Sequence, residues 1–140
     1  MSRPKILYDS NTLQTISLFE RITGTEAKDC FTSNETLYFV LAAGNMGRAI
    51  GKDGVRIKRL QAMMNRRIRL LEFSPDLATF IKNLIYPMRA RQVVADRGIV
   101  TITGEDVKGR AMLIGRNSSN LQRLKDIVGR YFEVTEIRVA

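Results

Sequence analysis

Residues 46–60 read MGRAIGKDGVRIKRL, and residues 111–124 read AMLIGRNSSNLQRL. The two stretches align with Gly51 opposite Gly115, 64 positions apart (115 − 51). Each copy places a tetrapeptide, Gly51-Lys-Asp-Gly54 or Gly115-Arg-Asn-Ser118, between two segments whose apolar residues have helical spacing. A loop with few side chains between two helix ends lets a phosphodiester backbone approach closely. The repeat therefore predicts two copies of one backbone-binding unit.

The pattern around the repeat predicts the same order of elements in both halves: helix, strand, strand, helix, helix, strand. We therefore expect an α+β fold. In the first half the predicted helices are 10–24, 46–50 and 55–64, and the strands are 27–32, 36–42 and 67–73. In the second half the helices are 75–85, 105–114 and 119–129, and the strands are 91–95, 99–103 and 132–139.

The repeat also predicts the domain organisation, with a first unit over residues 1–74 and a second over 75–140. A unit of about 65 residues buries little apolar surface alone. Ser74 and Pro75 form a junction that is too short for a free linker. We therefore expect the two units to pack rigidly on each other.

Charge favours a polyanionic partner. Lys and Arg number 23 against 14 Asp and Glu, the net charge is +9 and the pI is near 10.2. Between Arg48 and Arg69 there are eight basic residues and one acid, Asp53. The positive charge is thus concentrated on the first copy of the repeat.

Several other functions are disfavoured by composition. The chain has no histidine and one cysteine, Cys30, which we assign to the interior of a strand; no metal site, cofactor or catalytic residue is predicted. The segment Gly47–Asp53 differs from a P-loop in its glycine spacing and has Asp53 where Ser or Thr must bind magnesium. The N-terminus lacks a signal peptide, and no apolar stretch approaches the roughly 20 residues that span a bilayer, so we expect a cytoplasmic protein without a membrane partner.

Within the first loop, Gly51 is expected to end one helix in a left-handed conformation, and Gly54 leaves space where the next helix begins. The free N–H groups of that helix and the cation of Lys52 would then face a phosphate. Nearby basic residues, Arg48, Arg56 and Arg59, extend the site. The alternative is a tight helix connection with solvated basic residues, but the recurrence of a basic loop in both halves favours binding.

These residues resemble the signature of KH domains, whose GXXG loop clamps about four nucleotides of backbone. The element order resembles the type II form, and two such units in tandem resemble the archaeal NusA-like transcription factors. The resemblance implies two type II KH units, each a three-stranded mixed sheet covered by helices on one face. It also implies binding of single-stranded RNA during transcription elongation, termination or antitermination. On resemblance alone, the RNA polymerase elongation complex is a further candidate partner.

Carried over by position, the RNA-binding residues are Gly51, Lys52, Asp53 and Gly54 in the first unit and Gly115, Arg116 and Asn117 in the second. The second loop departs from the family pattern at Ser118. A serine can cap the helix from Ser119, but it partly fills the space for phosphate. We therefore expect the first loop to anchor the RNA and the second to extend the track.

Two alternative functions stay open: binding of ribosomal RNA or a role in ribosome assembly, and a protein-interaction scaffold. Aromatic residues do not decide between them, because Phe19, Phe39, Phe80 and Phe132 all fall at core positions of the apolar pattern. Tyr38 alternates with Phe39 and is expected on the other side of the strand. Met63 and Met64 are predicted to fill the core.

Overall fold

The computed structural model describes residues 10–140, and they divide into two compact units, residues 10–74 and residues 75–140. The residues before Ser10, on which the expectation about a signal peptide rests, lie outside the described part. Within residues 10–140, no helix has the length and apolar character needed to cross a membrane.

The first unit has the element order α-β-β-α-α-β. Strand β2 pairs antiparallel with β1 and parallel with β3, which gives a mixed sheet of three strands in the order β1-β2-β3. A single 3₁₀ turn, Lys52–Gly54, separates α2 from α3. The elements are α1 (Ser10–Thr23), β1 (Ala27–Ser33), β2 (Thr36–Leu41), α2 (Met46–Ile50), α3 (Val55–Met64) and β3 (Arg67–Glu72).

The core of the first unit lies between the sheet and its helices. Alternate residues of β2, including Phe39, join Phe19 of α1 and Leu60 of α3 in one buried cluster. The rings of Phe19 and Phe39 stack with centroids 4.2 Å apart. Tyr38 alternates with Phe39 as expected, is also buried, and stacks on Phe31 at 5.0 Å.

The second unit repeats this topology. Strand β5 pairs antiparallel with β4 and parallel with β6, and a second 3₁₀ turn, Arg116–Ser118, separates α5 from α6. Phe80 contacts the rings of Tyr131 and Phe132 at 5.5 Å and 5.4 Å between centroids. The elements are α4 (Leu77–Ile85), β4 (Ala90–Asp96), β5 (Ile99–Gly104), α5 (Val107–Ile114), α6 (Ser119–Val128) and β6 (Glu136–Val139).

The four phenylalanines predicted for the core are buried, and Cys30 is buried in β1. Met63 does not fill the core: its side chain is 55% exposed, because it lies on the outer side of α3, whereas Met64 packs against the buried cluster. The last strand is also shorter than predicted. The N–H groups of Tyr131 and Phe132 both donate to the Val128 carbonyl, so the chain continues to turn after α6 and becomes extended only at Glu136.

Candidate nucleic-acid interface

The backbone of the first loop needs glycine at its first position. Gly51 ends α2 with φ 78° and ψ 172°, a combination that is essentially restricted to glycine. The expected left-handed helical conformation is therefore wrong for Gly51, whose ψ is extended. It occurs instead at Asp53 (φ 56°, ψ 24°) and at Gly54 (φ 74°, ψ 17°). The chain turns sharply between the two helices as a result.

This turn leaves two backbone donors open. The N–H of Gly54 donates to the Gly51 carbonyl at 3.1 Å, and the N–H of Val55 donates to the Lys52 carbonyl. The first N–H of α3 is thus occupied and is not one of the free donors that the sequence predicts at this helix end. The N–H groups of Lys52 and Asp53 have no backbone acceptor among the described residues. The loop itself therefore offers two donors to an anion.

Exposed cations surround these donors. The side chains of Arg48, Lys52 and Arg59 are exposed and form no hydrogen bond or ion pair with another described residue. Lys58, which the sequence prediction omits, donates from Nζ to the Asp53 carbonyl at 3.2 Å. A sequence signal for Lys58 does exist, since it lies one helical turn after Gly54 on the same face of α3. The loop therefore has a cation on each side.

Arg56 differs from its basic neighbours. Its Nη1 donates to the carbonyl oxygen of Thr23 at 3.0 Å and to that of Arg48 at 2.7 Å. The Arg56 side chain therefore has partners inside the protein before any ligand binds.

The second loop has the same backbone path. Gly115 has φ 77° and ψ 168°, and both Asn117 (φ 55°) and Ser118 (φ 61°) have positive φ. Ser118 makes no side-chain capping bond to α6. The predicted serine cap is wrong because a capping residue adopts extended backbone angles, whereas Ser118 is left-handed.

The charges around the second loop differ from those around the first. Arg116 is exposed and, like Lys52, has no side-chain partner among the described residues. At the positions aligned with Arg48 and Lys58, the second unit has Met112 and Gln122. Arg123, aligned with Arg59, donates from Nε and Nη2 to Oδ1 of Asn120 at 3.1 Å and 2.6 Å.

The described residues contain no group of three His, Cys, Asp or Glu side chains that could hold a metal ion. In each unit the candidate site is the loop between two helices, whose second and third residues have N–H groups without a backbone acceptor among the described residues. The N–H groups of such a loop can donate to the oxygens of a phosphate.

Comparison with known proteins shows which family the chain resembles. The family described as "KH domain" matches residues 14–85, just over half of the chain. The chain is 33% identical over 138 residues to a protein of Methanococcus vannielii named "Probable transcription termination protein NusA", covering 96% of this chain and 80% of that relative. A Halobacterium salinarum protein of the same name is 29% identical over 128 residues, covering 90% of this chain and 92% of that relative.

A solved structure titled "Crystal structure of APE1850" superposes with a TM-score of 0.78 at 29% sequence identity and covers 95% of this chain and 100% of that one. The fold and the relatives lead to the same assignment. The chain belongs to the NusA-like family of KH-domain proteins.

Proposed function

We propose that the protein binds single-stranded RNA as a non-enzymatic transcription factor that acts in elongation, termination or antitermination, and that its two units are tandem type II KH domains. The family membership and the names of the relatives support an RNA-binding transcription factor. The α-β-β-α-α-β order with a mixed sheet in each unit supports the type II assignment. The RNA polymerase elongation complex as partner and a cytoplasmic location are parts of this proposal. Rigid packing of the two units stays a prediction from the sequence.

The single observation that carries the proposal is the first loop. Two N–H groups, of Lys52 and Asp53, lie between exposed cations, and none of these groups has a partner among residues 10–140. Gly51 and Gly54 add no side chain that would keep a phosphate away. RNA backbone oxygens would accept from the two N–H groups, while Arg48, Lys52 and Arg59 neutralise neighbouring phosphates. Lys58 joins this set through its position over Gly54, where its Cε would lie 3.6 Å from an added Cβ.

In the second unit we propose the corresponding contacts through Gly115, Arg116, Asn117 and Ser118. Arg116 would supply the charge, and the loop N–H groups would supply the hydrogen bonds. The side chain of Ser118 occupies part of the space that Gly54 leaves open in the first loop. The second site is therefore the weaker of the two.

The test is the binding of a single-stranded oligonucleotide by the full chain, measured by fluorescence anisotropy. Lys52→Asp should weaken binding about tenfold or more, because it removes a charged donor and adds an anion beside phosphate. Arg67→Asp is the matched control: it makes the same change of charge at the start of β3, beyond the far end of α3, a helix that spans about 15 Å. If Lys52→Asp bound RNA as tightly as the Arg67→Asp control, the site assignment would be wrong.

The two alternative functions predict different results. A protein-interaction scaffold would show little affinity for RNA even at low salt, whereas RNA binding should be strong there and weaken steeply as salt is added. Cross-linking in cells, followed by sequencing of the bound RNA, separates transcription from ribosome assembly. The proposed function predicts sites along nascent transcripts, and enrichment in ribosomal RNA alone would favour the alternative.

A further inference from the structure

We infer that Arg56 is a positioning residue: it holds the Gly51–Gly54 loop in its binding conformation and does not itself neutralise a phosphate. This inference rests on the proposed function of the loop. It changes the role that the sequence predicts for Arg56, which is direct contact with RNA.

The bonds of Arg56 join three helices at one nitrogen. Its Nη1 reaches the carbonyl of Thr23, the last residue of α1, and the carbonyl of Arg48 in the final turn of α2. The last carbonyl groups of a helix have no N–H donor within the helix, and they carry a partial negative charge. A guanidinium satisfies both and is electrostatically favoured there. Because Arg56 belongs to α3, it fixes both helices that flank the loop.

The aliphatic part of Arg56 holds the first residue of the loop. A Cβ added at Gly51 would lie 2.9 Å from Cγ of Arg56 and 3.2 Å from its Cβ and Cδ. The Arg56 stem therefore lies directly against the Gly51 backbone. Gly51 is required both for its φ and ψ angles and for this contact.

The second unit performs the same task without a charge at this position. Asn120, aligned with Arg56, donates from Nδ2 to the Leu113 carbonyl in the last turn of α5 at 2.7 Å. A Cβ added at Gly115 would lie 2.8 Å from Cβ of Asn120. The two units share a side-chain bond to the end of the preceding helix and contact with the loop glycine. A neutral amide suffices for this, which is the behaviour of a positioning group and not of a phosphate ligand.

The salt dependence of RNA binding distinguishes the two roles. On single strands, each neutralised phosphate contributes about 0.7 to the slope of log K against log salt. Arg56→Met keeps the stem and removes the donors, and Arg59→Gln removes a cation from the loop surround. We expect Arg56→Met to weaken oligonucleotide binding about tenfold, as loss of positioning does, with the slope of the parent. We expect Arg59→Gln to lower the slope by about 0.7.

A drop in slope of about 0.7 for Arg56→Met, or an affinity equal to that of the parent, would overturn the inference. Arg56→Gln keeps an amide donor and should recover part of the affinity that Arg56→Met loses. It replaces Arg56→Met in these measurements if the methionine variant fails to fold.

Hydrogen exchange without RNA tests the positioning role independently of binding. The N–H groups of Gly54 and Val55 should exchange faster in Arg56→Met than in Arg59→Gln, and equal rates would count against the inference. If the parent bound no RNA while this difference was present, the proposed function would fail and the role of Arg56 in holding the loop would stand.

Discussion

At the residue scale, the two units differ in backbone cost at the fourth loop position. Gly54 and Ser118 both adopt the left-handed conformation, at φ 74° and 61°. For residues other than glycine this conformation costs about 1–2 kcal/mol, with Asn and Asp penalised least. The third position holds Asp53 in one loop and Asn117 in the other, which suits their positive φ. Ser118 has no such preference, and its side chain makes no capping bond that would compensate.

Ser118→Gly is therefore expected to stabilise the protein by about 1 kcal/mol, because it removes left-handed strain and loses no capping bond. It should also strengthen the second RNA site by clearing the space above the loop. The measurement is the midpoint of urea unfolding, with RNA binding recorded in parallel.

The neighbouring substitution Ser119→Gly is the control. Ser119 has ordinary helical angles, φ −63° and ψ −41°, so glycine there should cost about 0.5–1 kcal/mol. A Ser118→Gly variant that is less stable than the parent would contradict the assignment of strain to this residue.

At the residue scale, the sequence predicts which residues line the loops but not how they are bonded. Glycines and cations at a fixed spacing can be read directly from the amino-acid sequence. The bond from Arg56 to Thr23 is not, because it joins residues 33 positions apart whose approach depends on how α1 packs on α3. The capping role assigned to Ser118 fails for a similar reason, since it depends on φ and ψ angles that the loop as a whole imposes.

At the scale of elements, two helices of the second unit, α4 and α5, begin at aspartate caps. Oδ2 of Asp76 accepts from the N–H of Thr79 at 3.0 Å and from its Oγ1 at 2.6 Å, and Oδ1 of Asp106 accepts from the N–H of Gly109 at 2.6 Å. The side-chain bond from Thr79, followed by the backbone bond, lowers the pKa of the Asp76 carboxyl. A carboxylate at this end also interacts favourably with the helix dipole.

This lowered pKa predicts a pH dependence of stability. The stabilising contribution of ionised Asp76 is complete above the ordinary pKa of an aspartate, about 3.9, and is lost as the pH falls through the lower folded pKa. Asp76→Asn keeps a capping side chain but cannot titrate. Between about pH 5 and pH 2, the urea midpoint should therefore fall less in Asp76→Asn than in the parent.

Thr79→Val tests the cause of this effect. It removes the Oγ1 donor that lowers the pKa most, so its dependence on pH should lie between those of the parent and Asp76→Asn. Superimposable pH curves for all three proteins would show that the cap does not contribute.

Elements are predicted from the sequence where a turn or cap signal coincides with a change of apolar period. Both hairpins and the helices that flank each loop are found in this way. The last strand is predicted four residues too early, because Phe132 continues an apolar pattern that is shared by the turn after α6 and by β6. Periodicity alone does not separate an apolar turn, buried by its contact with Phe80, from an apolar strand.

At the scale of the whole molecule, the two units have one topology and different loop charges. The first loop is surrounded by Arg48, Lys52, Lys58 and Arg59. The second has Arg116, with Met112 and Gln122 in two of the aligned positions and Arg123 bonded to Asn120. The difference between Gly54 and Ser118, which dominates the comparison of the sequences, is thus one part of a larger electrostatic difference between the loops.

This difference predicts unequal losses on charge reversal. Arg116→Asp should weaken RNA binding less than Lys52→Asp, and it should lower the salt slope by about 0.7 at most, because fewer cations at the second loop contact phosphate. An equal or greater loss for Arg116→Asp would mean that the second loop carries at least half of the binding, and the ranking would be wrong.

The decisive version of this experiment moves the charges of the first loop to the second. In a Met112→Arg and Gln122→Lys variant, both new cations lie at positions whose counterparts flank the first loop, and Met112 is already exposed, so no buried side chain is lost there. RNA affinity should rise at low salt, and the salt slope should increase by about 0.7 for each new phosphate contact. Adding Arg116→Asp to this variant should then cost more than it does in the parent. If RNA affinity and salt slope were unchanged, the charge around the loop would not determine how tightly the loop binds RNA. The affinity would then have to come from the backbone geometry that the two units share.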